Sequence, residues 1–116
     1  MKHVNFKIDM YEQDIEVVLC EDCADFSNEL TNVFDLKEVD WNFSGMIYSD
    51  SDTHHLVMLN SKFGDDHLLS TVVHESFHLS NIIMRSVGIK PDLNNDEAQA
   101  YLLSYIFENI KKLLKL

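Results

Sequence analysis

The chain has 116 residues, 46% of them hydrophobic and 25% charged, which is enough to bury a core as a single domain over residues 1–116. Nine basic residues against twenty acidic ones give a net charge of -11, which argues against a nucleic-acid partner, since that affinity rests on Lys and Arg neutralising phosphates. No stretch approaches the ~20 apolar residues of a membrane span, and Met1-Lys2-His3-Val4-Asn5-Phe6 has no apolar signal core, so a cytoplasmic protein with no membrane partner is expected.

In chain order, His3 to Met10 alternates Val4, Phe6, Ile8 and Met10 with polar neighbours, the period of a half-buried strand. Ile15 to Cys20 predicts a second strand, joined to the first through the polar Tyr11-Glu12-Gln13-Asp14. Asp25 to Leu36 carries Phe26, Leu30, Val33 and Phe34 at helical spacing and predicts a short amphipathic helix. Trp41 to Tyr48 and His54 to Leu59 predict two more strands around the turn-forming Ser49-Asp50-Ser51-Asp52-Thr53.

Gly64-Asp65-Asp66 then opens a long helix, its first amides capped by an acidic residue, which runs to Val87 and stops at Gly88 before Pro91. A last helix opens at Asn94-Asn95-Asp96-Glu97 and is expected to bury Ala98, Leu102, Leu103, Ile106, Phe107, Ile110, Leu113 and Leu114. The order of elements predicts an α+β domain with a small, mostly antiparallel sheet packed on a central helix and a C-terminal one.

The long helix carries His74-Glu75-Ser76-Phe77-His78, an H-E-x-x-H. Histidines four apart share one helix face, about one turn (~5.4 Å) apart, so both imidazoles can reach one tetrahedral ion. Placed at about 100° per residue, His67, Ser70, Thr71, His78, Asn81 and Arg85 fall within about 60° of His74. The rest of the circumference is mostly apolar, including Val72, Val73, Leu79 and Ile83. This predicts a central, buried helix with one polar stripe facing a cleft or a metal. His67 lies about 10 Å further along the axis, too far to share the ion.

Catalytic zinc usually keeps three protein ligands and an open position. No histidine follows His78, which leaves a carboxylate on the next helix: Glu97, nineteen positions on. Glu97 has a competing role, because with Asn94 as N-cap it occupies the third helical position of a capping box. Cys20-Glu21-Asp22-Cys23 is a C-x-x-C able to join the two histidines in a closed structural site, although Glu75 then has no use. Otherwise the two cysteines are free and packed near a strand end. His54 and His55 are neighbours on a strand, so only one of them can face the cleft, and surface positions are expected for them.

His74 to His78 followed by Asp96-Glu97-Ala98-Gln99-Ala100-Tyr101 resembles the gluzincin arrangement of thermolysin-like and ImmA-type peptidases. On so short a chain it is most similar to the minimal zincin-like proteins encoded by phages and mobile elements. The resemblance covers residues from about 64 to 108. It implies a zincin-like fold, a zinc ion held by His74, His78 and Glu97, and Glu75 as the base that activates water against a peptide bond. It further implies a polypeptide substrate paired with an exposed edge strand, the slot occupied by His54 to Leu59, and the cytoplasm of a host cell as location.

Where thermolysin-like enzymes place an aspartate four residues after the ligand glutamate, this chain has Tyr101. Tyr101, Tyr105, His54 and His55 are the candidates for a second-shell partner or oxyanion donor. A non-catalytic zinc-binding protein of the same fold, acting as an interaction module, is the alternative function.

Overall fold

The computed structural model describes residues 2–21 and 43–116. Four strands, β1 (Lys2–Ile8), β2 (Gln13–Cys20), β3 (Gly45–Ser51) and β4 (His54–Asn60), are followed by two helices, α1 (Asp65–Ser86) and α2 (Glu97–Leu114). The helix expected between Asp25 and Leu36 falls outside the described residues. Among the described residues the result is a mixed α+β arrangement of one four-stranded sheet and two helices.

The sheet runs β1-β2-β4-β3. β1 pairs antiparallel with β2, and β3 antiparallel with β4, each pair being consecutive in the chain. The seam between them is parallel, with Asp14 opposite His54 and Cys20 opposite Asn60. A mostly antiparallel sheet was the right expectation for the two hairpins, but periodicity within a strand carries no information about the seam.

The pairing also corrects the expectation for His54–Leu59. β4 is paired on both sides and is not an edge; among the described residues the edge strand on that side is β3. Leu56, Val57, Met58 and Leu59 are all 0% exposed, so consecutive residues are buried on both faces, each such side chain contributing about 1.5–3 kcal/mol. One face of the sheet sends Val4, Ile15, Val17, Ile47, Val57 and Leu59 into a core with the two helices. The other face holds a second cluster of Val18, Cys20, Leu56 and Met58, with Phe43, Met46 and Tyr48 packed on it.

β1 ends two residues earlier than the alternation suggested, in a 3-10 turn at Asp9–Tyr11. Glu12 takes a left-handed conformation (φ 52) to start β2. α1 ends as the sequence anticipated: Gly88 (φ 81) lets the Ile89 N–H reach back to Met84 O at 2.8 Å, satisfying an end carbonyl. Its start differs, for Asp65 and Asp66 lie in the first turn but make no side-chain cap bond. Their value there is electrostatic, as negative charge at the positive dipole end. α2 starts at Glu97 with Asp96 as N-cap. A capping box on Asn94 is therefore not formed, the turn at 92–95 instead using Asp92 to accept from the Asn94 N–H at 2.9 Å.

Nine of the eighteen residues of α2 are buried or half-buried, Leu102, Ile106, Ile110 and Leu114 fully so. α1 buries Leu68, Val72, Leu79 and Ile83 against the sheet and α2. Its polar stripe corrects the expectation of a helix enclosed on all sides. Ser70, His74 and His78 are exposed, and so are Val73 (46%), which the wheel assigned to the apolar circumference, and Phe77 (49%), which falls at the border of the stripe.

Candidate metal centre

α1 crosses the end of the sheet where Gly45 of β3 pairs with Leu59 of β4. Gly45 is the reason the helix can sit so close. A Cβ built on it would lie 2.6 Å from Thr71 Cγ2 and 2.9 Å from Glu75 Cγ, distances that real side chains do not adopt. Lone glycines inside strand patterns mark such approaches. The lone glycine in the strand pattern was therefore the sequence's signal for this close approach.

The same approach covers Glu75, which is only 6% exposed although its neighbours His74 and Phe77 are at the surface. Burial raises the Glu75 carboxyl above its ordinary range, while His74 and His78 pull in the opposite direction. A carboxylate held in this way is a stronger base than a free one, which suits proton abstraction near neutral pH.

The two imidazoles meet. His74 Nε2 and His78 Nε2 are 3.1 Å apart, with the rings edge to face at 4.7 Å between centroids. With one ring protonated at Nε2 this is a hydrogen bond. With both rings as the Nδ1–H tautomer, two lone pairs converge on one point. Ligands at about 2.0–2.1 Å on two corners of a tetrahedron are ~3.3–3.4 Å apart, so the pair fits two positions of a zinc shell with little movement. Neither Nδ1 has a hydrogen-bond partner among the described residues, so nothing there yet orients the rings in the manner of a developed second shell.

A shallow groove of about 320 Å³ leads away from the pair along α1, lined by Ser44, Gly45, His67, Thr71, His74 and Glu75. His67 spans its far end, with Nε2 on Ser44 Oγ at 2.8 Å. Thr71 is fixed by donating to His67 O at 2.9 Å. Sequence reasoning set His67 aside as too remote to be a ligand, and its contact to Ser44 lies 23 positions away in the chain, beyond any local pattern.

Glu97 is not brought to the pair. The contact between the helices there belongs to Gln99, whose Nε2 donates to Asn81 Oδ1 at 2.5 Å and to Ser80 Oγ at 3.3 Å. Two residues back along a helix is a rotation of about 200°, so Glu97 lies on the opposite side of α2 from Gln99 and is exposed. No three His, Cys, Asp or Glu side chains are gathered closely enough to hold an ion among the described residues.

The four candidate donors are also elsewhere. Tyr101 and Tyr105 line a second, largely apolar groove with Ile8, Met10 and Leu102, and Tyr105 donates its hydroxyl to Lys7 O at 3.2 Å. His54 lies on the sheet face away from the helices, beside Glu16 (3.8 Å) and Asp50 (3.4 Å). His55, expected at the surface, is fully buried. Its Nε2–H donates to Gln13 Oε1 at 2.6 Å, and its Nδ1 accepts from Ser49 Oγ at 2.7 Å. Gln13 Nε2 in turn donates to Tyr11 O at 3.1 Å. This is a closed structural network about four residues, ~13 Å, along β4 from the level of Gly45. Cys20 is buried, and Cys23 lies outside the described residues.

No family model, no curated protein and no solved structure matches this chain.

Proposed function

We propose that the chain is a minimal zinc-dependent peptidase of zincin-like type, acting on a polypeptide in the cytoplasm, that of the host cell if a phage encodes it. The observation that carries this reading is the combination at one turn of α1: two Nε2 atoms 3.1 Å apart at the surface, with a buried carboxylate, Glu75, between them in sequence. His74 and His78 would hold the ion, and Glu97, exposed on the far side of α2, would be the third ligand once α2 turns to present it. Bound zinc supplies Lewis acidity, lowering the pKa of a coordinated water and polarising a carbonyl.

The chain's own residues do the rest. Glu75 accepts a proton and, as a carboxyl whose affinity for protons is raised by burial, keeps it long enough to return it to the leaving amine. β3 is paired only with β4 among the described residues, so its outer edge offers main-chain groups to an extended peptide. Gly45 brings that edge against Glu75.

Zinc analysis of the purified chain beside His78→Ala and Glu97→Ala, with a peptide-library digest, tests the proposal. Zinc lost in His78→Ala, cleavage by the native chain and none by Glu97→Ala are expected. Undiminished cleavage by Glu97→Ala removes Glu97 as a ligand of the active form, and native protein that takes up no zinc ends the reading.

A second reading, a non-catalytic zinc-binding module, is favoured by one observation: no third donor stands near the pair among the described residues. It requires bound zinc with no turnover of any peptide, so steady cleavage of a single sequence removes it.

A further inference from the structure

Two nitrogen donors on an exposed helix face leave half of a tetrahedral shell to be filled, and the surrounding surface indicates by what. Between His67 and Arg85 the only acidic residue is Glu75, and it is buried. The exposed positions from Ser70 to His78 are Ser70, Val73, His74, Phe77 and His78, none of them a carboxylate. On a chain of net charge -11 this strip lets two copies approach along α1 without bringing acids of the strip itself together. Val73 and Phe77, each about half exposed, flank the imidazoles and offer apolar contact. An isologous interface needs a surface that is its own complement, and a pair of donors lacking a second pair meets that condition.

We propose that a second copy of this chain docks on this face of α1, His74 and His78 of both copies closing around one zinc ion, with Val73 and Phe77 packed about the two-fold axis. The inference rests on the reading of the histidine pair as zinc ligands and adds a regulation to it. Four imidazoles leave no open coordination position. The dimer is therefore a closed resting form, and the monomer is the form available to a substrate.

Sedimentation of the full chain, with zinc chloride or with a chelator, is measured together with bound zinc. The expected result is 13.5 kDa in chelator and twice that with zinc, at one zinc per two chains, and a monomer throughout for His78→Ala. Phe77→Asp alters an exposed position and should fold, bind zinc and stay monomeric. One zinc per chain at monomer mass overturns the dimer and leaves the peptidase reading standing. A dimer that persists in chelator or in His78→Ala also overturns it. No zinc bound by the native chain removes both proposals.

Discussion

Glu75 shows how a single residue can be costly to the fold and useful to the chemistry. Its carboxyl is raised by burial, so the unfolded chain ionises it more readily than the folded one. Ionisation at neutral pH then weakens the fold, because the unfolded state gains more from losing that proton. Glu75→Gln, with no charge to desolvate, is expected to be more stable than the native chain at pH 7. Its advantage should shrink as the pH falls toward the ordinary glutamate value of 4.5 and be gone below it, where both states of the native chain are protonated. Denaturant titration at pH 7 and pH 4 measures this. In peptide assays the same variant should keep its zinc and lose activity by about 10²–10⁴-fold, the usual share of a general base.

Gly45 is the second residue of consequence. Alanine there would press on Thr71 and Glu75, and overpacking of this kind costs about 1–3 kcal/mol. A denaturation midpoint unchanged in Gly45→Ala would mean that the helix is free to shift outward. The spacing of His74, Glu75 and His78 was fully legible in the sequence, since helical geometry alone makes the imidazoles neighbours. The closeness of Gly45 to Glu75 was not, because it depends on how a strand and a helix thirty positions apart are laid together.

Among the elements, α1 and the hairpin strands were read closely from periodicity and their glycine and turn residues. The failures share one cause. The wheel for α1 sorts residues by polarity, but Val73 and Phe77 are apolar and exposed, because the helix meets neighbours on only part of its circumference. Glu97 was matched by its spacing from His78. The rotation of α2 is set by packing of Leu102, Ile106 and Ile110, with Gln99 bound to Ser80 and Asn81.

His55 was placed at the surface because its residue type favours it, whereas β4 is interior and its neighbours Gln13 and Ser49 supply both hydrogen bonds. Burial lowers the His55 pKa below its ordinary 6.5. The unfolded chain thus takes up this proton first as the pH falls. The sheet is expected to hold its full stability above about pH 6.5 and lose it progressively below that value. His55→Gln should flatten that dependence, as read from unfolding midpoints between pH 7.5 and 5.0.

At the scale of the whole molecule, the excess of eleven negative charges opposes compaction. At ~0.01 M salt the screening length is ~30 Å and acids across the chain repel one another; at ~0.15 M it is ~8 Å. The melting temperature is therefore expected to rise between those salt concentrations, and a fall would show that attractive pairs such as Lys7 with Asp14 outweigh the net repulsion. No helix of the described residues is long and apolar enough to cross a membrane. The α+β class was legible because each element has a distinct period, while strand order was not, since β2 and β4 are both apolar enough to take interior positions.

The parallel seam also dictates the order in which the molecule can assemble. Each hairpin closes over a handful of residues, whereas joining Asp14 to His54 ties together positions forty apart, and that closure must precede any reward from the buried strands. Truncating Val57, which is wholly enclosed at the seam, should therefore slow refolding in stopped-flow traces, while truncating Val4 on the outer strand should chiefly hasten unfolding.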